Sequence, residues 1–270
     1  MIKKIVTIAG SDASGGAGIE ADLRTFAKHN LYGTAALTVI VSMDYDNHWA
    51  HGVHPVAVDT IKAQLDTIFK GLTIDTVKTG MLPTPEIINL VAAYLDRYAK
   101  DKPTVIDPVM VCKGDEPLFP EHAQRIRDVL VKYATLITPN LFEAAQLAQM
   151  HPLRSADEAK EAAERIMETG GCQALVIKGV GLLEKHKTAA DLFFDGKKFS
   201  RIEGPYIDTD HTHGLGCTYA SHVASFMTRG YTPYEACVAT KKAITKGLKG
   251  HFALNQYVGT LNFPDSFDKA

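Results

Sequence analysis

The sequence predicts an α/β fold with a mostly parallel central sheet covered by helices on both faces. Three observations predict it. Short runs rich in β-branched residues recur, and they are apolar throughout rather than alternating, as strands buried on both faces are. Amphipathic stretches of helical period separate them and supply the crossovers that parallel strands need. Polar and glycine-containing residues stand directly after the strands, where an open α/β sheet binds its ligands.

The elements follow in order. KKIVTIAG (3–10) is the first strand, and the glycine-rich loop AGSDASGGAGIEAD (9–22) leads into a helix expected over 17–29. GTAALTVIV (33–41) is followed by a helix over 57–70, and DTVKTGM (75–81) by one over 84–100. PTVIDPV (103–109) precedes a helix over 120–133, and ATLITPN (134–140) precedes helices over 141–149 and 155–169. ALVIKGV (174–180) is the sixth strand. DLFFDGKKFSRIEGP (191–205) reads as an antiparallel hairpin turning at Asp-Gly, near one edge. Helices over 217–229 and 233–248 complete the pattern. No repeat, linker or boundary interrupts it, so residues 1–270 are expected to form a single domain.

A formal net charge of −2 gives no global electrostatic reason to bind nucleic acid or a membrane surface. The apolar run Ile5 to Ala9 is too short for a signal-peptide core, and no segment is long enough to span a bilayer. The expected location is the cytoplasm. The four cysteines are widely spaced without a CxxC pair, which argues against a disulfide framework or structural zinc. Cys172 and Cys237 read as small buried hydrophobes.

Chemistry concentrates at the strand ends. Gly16-Ala17-Gly18 matches half of a dinucleotide fingerprint, but Asp12 and Asp22 put acid where a pyrophosphate would lie. That loop better suits a neutral polar ligand; the alternative is a tight turn with Asp12 as a cap. In DHTHGLGCT (210–218), glycines turn backbone N–H groups inward at a helix start, an anion site without lysine. Cys217 sits in the first turn, where the helix dipole should lower its pKa. There it could take a proton from a hydroxyl attacking a phosphoryl group. The alternative is a glycine turn beside a buried cysteine. Asn140 and Glu143 offer an amide and a carboxylate one turn apart, suited to Mg²⁺ through water, and Asp107 offers a second carboxylate. Lys178-Gly179 offers a cation for a nucleotide phosphate. Together these strand ends form a phosphoryl-transfer constellation.

The ordered motifs AGSD-x-SGGAG-x-x-AD, KTGM, DPVM, TPN-x-x-EA, a strand-end KG and THG-x-GCT resemble the ribokinase-like vitamin kinases. The nearest branch is the hydroxymethylpyrimidine kinase and pyridoxal kinase group, and the resemblance runs from Lys4 to NQYVG at 255–259. It implies a three-layer α/β/α sandwich, usually a homodimer, that moves the γ-phosphate of Mg-ATP to a hydroxymethyl group on a heteroaromatic ring. By position, Gly10, Ser11, Asp22, Met43, Met81 and Val109 would meet the substrate ring. Asp107 and Glu143 would hold magnesium. Asn140, Glu143, Lys178, Gly179, Lys187 and His213 would meet the nucleotide and its phosphates. Gly214 and Gly216 would shape the anion hole, with Cys217 as base.

Two features choose within the branch. Hydroxymethylpyrimidine kinases carry Gln or Glu after the second strand, whereas Val41-Ser42-Met43-Asp44 presents a thioether that cannot hydrogen-bond an aminopyrimidine strongly. Cys112, in a region resembling a lid, could add reversibly to the 4-aldehyde of pyridoxal. The pair Cys112 and Cys217 resembles the dual-cysteine pyridoxal kinase type. The expected activity is phosphorylation of pyridoxal, pyridoxine or pyridoxamine; the alternatives are a hydroxymethylpyrimidine kinase, dual activity, or a non-catalytic binding protein. Leu215 departs from the family, which has Ala or Thr between these glycines. The remaining histidines lack paired-ligand spacing and read as surface or core residues. Trp49 could cover the substrate or a dimer contact, and Lys241, Lys242, Lys246 and Lys249 read as a solvated helix face.

Overall fold

The computed structural model describes residues 2–110 and 121–263. A nine-stranded sheet has the order β3-β2-β1-β4-β5-β6-β7-β8-β9. Its centre is parallel: β2 (Tyr32–Asp44), β1 (Lys4–Asp12), β4 (Thr76–Thr79), β5 (Thr104–Ile106), β6 (Leu136–Ile137) and β7 (Leu175–Ile177). One edge closes with the antiparallel hairpin β8 (Asp191–Phe194) and β9 (Phe199–Ile202), as the Asp-Gly turn predicts. At the other edge β3 (Ala50–Pro55) pairs antiparallel with β2. Sequence reasoning missed β3, because AHGVHP is polar and glycine-containing. β2 also runs three residues further than expected, to Asp44.

Alternating residues of the central strands enter two different cores, which is what period-2 geometry requires. Val6, Ile8, Ile106, Ile137 and Ile177 pack on one face, with helices α2 (Val58–Gly71), α3 (Pro85–Tyr98) and α6 (Ala156–Gly170). Ile5, Val105, Leu136 and Val176 pack on the other, with α1 (Gly18–Lys28), α7 (Leu215–Thr228) and α8 (Pro233–Lys249). Both layers are apolar, which explains why the strands read as unbroken hydrophobic runs.

Six helices lie within two residues of their expected bounds, and α5 (Leu141–Leu147) also stops two residues short. Side-chain caps fix several starts. Thr84 accepts from the Ile87 N–H, and Thr232 and Glu235 form a reciprocal box before α8. The helix expected over 120–133 is not one helix. α4 (His122–Arg125) passes into a π-helical turn over Ile126–Leu130 and a 3₁₀ turn over Val131–Tyr133. A short pair, β10 (Phe252–Ala253) and β11 (Gly259–Thr260), was also missed. Among the described residues, no helix is long and apolar enough to cross a membrane.

Candidate active site

The parallel strands share a direction, so their C-terminal ends meet at one edge of the sheet. β1 delivers the first loop there. A Cβ on Gly10 would lie 2.6 Å from Val39 Cγ1, so only glycine lets β1 approach β2 this closely. Asp12 organises the turn. Its Oδ1 accepts from the Ser14 N–H at 2.8 Å, and its Oδ2 accepts from the Ala17 N–H at 3.0 Å and bonds His213 Nε2 at 2.5 Å. Burial raises the Asp12 pKa, but His213 and Ser14 more than offset it and hold the carboxyl below its ordinary value. Asp12 thus pins the turn, while α1 itself begins after Ala17 without a side-chain cap. His213 fastens the first loop to the second and also borders the first cavity.

The second loop turns at Gly214, whose φ of +73° starts α7. A Cβ there would collide with the Gly16 carbonyl, so the two loops touch backbone to backbone. Helix geometry leaves the Gly216 and Cys217 amides without intrahelical acceptors. Those two amides stand at the start of α7, where the expected anion hole would lie. Leu215 packs partly against the second core layer and does not displace the turn.

The thiol differs from expectation. Cys217 keeps a half-buried surface, yet it lies deep in the site, and burial pushes it up to about 11. Lys78 opposes that shift, while Asp22 and Asp107 add to it. Burial outweighs the helix dipole, which sequence reasoning took to dominate. Asp22 also needs correction. It is fully buried, accepts from Lys78 Nζ at 2.8 Å, and accepts from Thr7 Oγ1 and Ser221 Oγ at 2.6 Å each. It does not line the cavity, so it cannot meet a substrate ring.

Across the site, Asp107 Oδ1 accepts from Thr138 Oγ1 at 2.9 Å and from Lys178 Nζ at 3.0 Å. Asn140 and Glu143 cap α5 reciprocally, each accepting the other's backbone N–H at 2.8 Å. Burial pushes the Glu143 carboxyl up to about 7; Lys178 opposes this and Asp107 reinforces it. Both carboxylates border one cavity. No cluster of three or more metal-ligating side chains occurs among the described residues. Two hard carboxylates fit Mg²⁺, which takes one or two protein oxygens and completes its shell with water and phosphate.

Two cavities meet here. The first, about 280 Å³, is bordered by Gly10, Ser11, Met43, Met81, Val109 and Cys217. The second, about 460 Å³, is bordered by Gly179, Asp191, Tyr206 and Tyr219. Asn140, Lys178, Thr212, Leu215 and Gly216 border both, so the anion loop lies at their junction. Lys187 is exposed and borders neither cavity, although the adjacent Thr188 and Ala189 border the second. Cys112 lies outside the described residues.

Sequence reasoning missed three residues. Lys78 borders the first cavity from the middle of β4. His51 borders it too, paired with Met43 across the β2–β3 hairpin. Lys241 is buried and bonds Asp191 at 2.6 Å rather than facing solvent. A charged residue inside an apolar strand was the available signal for Lys78. Nothing in AHGVHP marked His51. Trp49 stacks on Tyr257 at the hairpin tip. Cys172 and Cys237 are buried, as expected.

Known proteins share this fold. A pyridoxine kinase of Bacillus subtilis is 52% identical over 257 residues, covering 95% of this chain and 94% of its own. The crystal structure of an ADP complex of Bacillus subtilis pyridoxal kinase matches with a TM-score of 0.91 and 50% identity, covering 97% of each chain. Staphylococcus aureus pyridoxal kinase in complex with AMP-PCP and pyridoxal matches with a TM-score of 0.89 and 37% identity, covering 97% of this chain and 93% of its own. The sequence pattern of the phosphomethylpyrimidine kinase family extends over residues 12–262. On that match, and on the ribokinase-like sheet and paired cavities that accompany it, the chain belongs to the phosphomethylpyrimidine kinase family.

Proposed function

We propose that the protein is a pyridoxal kinase. It moves the γ-phosphate of ATP to the 5′-hydroxymethyl group of pyridoxal, and of pyridoxine and pyridoxamine. The observation that carries this reading is the junction of two cavities across one anion loop, with Cys217 on the acceptor side. ATP occupies the larger cavity, its phosphates reaching Lys178, Asn140 and the Gly216 amide. The ring occupies the smaller one, between Met43, Met81 and Val109, with Gly10 and Ser11 against its edge. Apolar walls with few polar groups suit a pyridine, and Met43 offers no strong partner to an aminopyrimidine.

The hydroxyl oxygen forms the new bond to γ-phosphorus as the bond to the bridging oxygen breaks and ADP leaves. The hydroxyl proton passes to the Cys217 sulfur. The anion loop holds the charge of the transferring group. Asp107 and Glu143 would hold magnesium, which would supply neutralisation of phosphate charge. Cys112 adds reversibly across the aldehyde of pyridoxal as a hemithioacetal, its thiol proton passing to the carbonyl oxygen.

This reading makes the chain one kinase domain over 1–270, a cytoplasmic homodimer that binds neither nucleic acid nor membrane. A second reading, phosphorylation of hydroxymethylpyrimidine in the same cavity, is favoured by the family pattern itself. Cys217→Ala tests the proton acceptor. Turnover should fall by roughly 10²-fold or more, with ATP binding retained in equilibrium dialysis. Full turnover would remove Cys217 from the mechanism.

A further inference from the structure

Lys78 has no place in the chemistry above. It lies in β4, in a sheet whose strands β5, β6 and β7 carry only apolar residues and threonine. A buried ammonium is costly unless it is paired. Asp22 supplies the pair and is itself fixed by Thr7 and Ser221. Ser221 is four residues beyond Cys217 on α7, so the two side chains leave the same helix face one turn apart. Lys78 also borders the acceptor cavity, and a Cβ on Gly80 would lie 3.0 Å from its Nζ. A tie between sheet and helix needs none of this access to the cavity.

We propose that Lys78 is a positioning residue for Cys217: held by Asp22, which Ser221 fixes one turn along α7, its ammonium is the fixed positive charge that opposes the cost of placing negative charge on the sulfur. The groups acting on the thiol are Lys78 and Lys178 on the positive side and Asp22 and Asp107 on the negative, with the Gly18 backbone also stabilising the thiolate. Lys78 is the strongest of those that favour the thiolate. Burial pulls the Lys78 pKa down, but Asp22, then Cys217 and Asp107, hold it above the ordinary lysine value. It therefore keeps its three protons while the substrate proton moves from oxygen to sulfur. It is neither acid nor base, and it is no amine nucleophile toward an aldehyde. The proton transfer rests on the kinase reading; the charge effect on the thiol does not.

The test is the pH dependence of Cys217 alkylation by iodoacetamide in the full chain, scored by peptide mass mapping so that other cysteines do not contribute. Lys78→Met/Asp22→Leu removes both charges with similar volume, a replacement that buried pairs often tolerate. Circular dichroism and the melting temperature establish that it folds. Because the variant also removes Asp22, whose charge disfavours the thiolate, the two losses partly cancel, and alkylation at a fixed pH should slow by about 3-fold, the equivalent of about half a unit in the thiol's midpoint. Lys78→Arg, which keeps the charge, should restore most of the wild-type rate. Indistinguishable pH profiles for wild type and the double variant would overturn the proposal. So would a Lys78→Arg profile shifted as far as the double variant's. A shifted profile in a protein that phosphorylates no vitamer would leave this inference standing and remove the kinase reading.

Discussion

Asp22→Asn separates a substrate contact from a buried counter-charge. The substitution keeps the volume and the ability to accept from Ser221, but it removes the negative partner of Lys78. Both side chains are fully buried, so water cannot compensate. Breaking a buried pair on one side costs about 3–5 kcal/mol. At roughly 2–3 °C per kcal/mol for a chain of this size, the melting temperature should fall by about 6–15 °C. Part of the loss is recoverable. Without Asp22, burial depresses the Lys78 pKa below its unfolded value. The unfolded state then binds more protons, so the variant's stability rises as pH is raised toward the unfolded lysine value. Thermal melts followed by circular dichroism at neutral and alkaline pH measure both effects. A variant that melts within about 2 °C of wild type while its KM for the vitamer rises would refute the reasoning and return Asp22 to the substrate site.

Other perturbations probe the rest of the site. Glu143, pushed up to about 7, should be largely protonated at pH 6 and ionised at pH 8. The magnesium concentration for half-maximal activity should therefore fall across that interval, and Glu143→Gln should remove the dependence; a flat wild-type profile would separate Glu143 from the metal. The same raised value means that Glu143's contribution to stability is complete below its unfolded value near 4.5 and is lost as pH rises through about 7. Gly214→Ala places a Cβ against the Gly16 carbonyl at a φ of +73°, and should cut kcat by about 10-fold or more with the circular dichroism spectrum unchanged. Met43→Gln adds a hydrogen-bonding amide to the acceptor cavity, and should move the kcat/KM ratio toward hydroxymethylpyrimidine by about 10-fold.

The sheet was legible because its strands are buried on both faces: Val105 and Ile106, or Leu136 and Ile137, serve opposite cores and leave no polar alternation. β3 escaped because an edge strand with one exposed face needs no such run, and His51 was lost with it. The strand-end residues were readable one by one, since Asp107 and Lys178 directly follow strands and Asn140 and Glu143 open the helix after one. Their pairings were not. Asp22 resembles a loop ligand until Lys78, 56 positions away, is seen against it. Cys217 carried a true local signal, the helix N-terminus, but its ionisation depends on burial and on charges from β4, α1 and the end of β5. Local sequence reports the dipole and is silent on the burial.

The central claim is that the acceptor cavity takes a B6 vitamer. Initial rates of ADP release should be measured with Mg-ATP and with pyridoxal, pyridoxine and hydroxymethylpyrimidine supplied separately. The account predicts kcat/KM for pyridoxal at least about 10-fold above that for hydroxymethylpyrimidine, the discrimination expected when one specific hydrogen bond is missing. Hydroxymethylpyrimidine turning over faster than either vitamer would contradict it, leaving the kinase fold and its anion loop intact but assigning Met43 no part in choosing the ring.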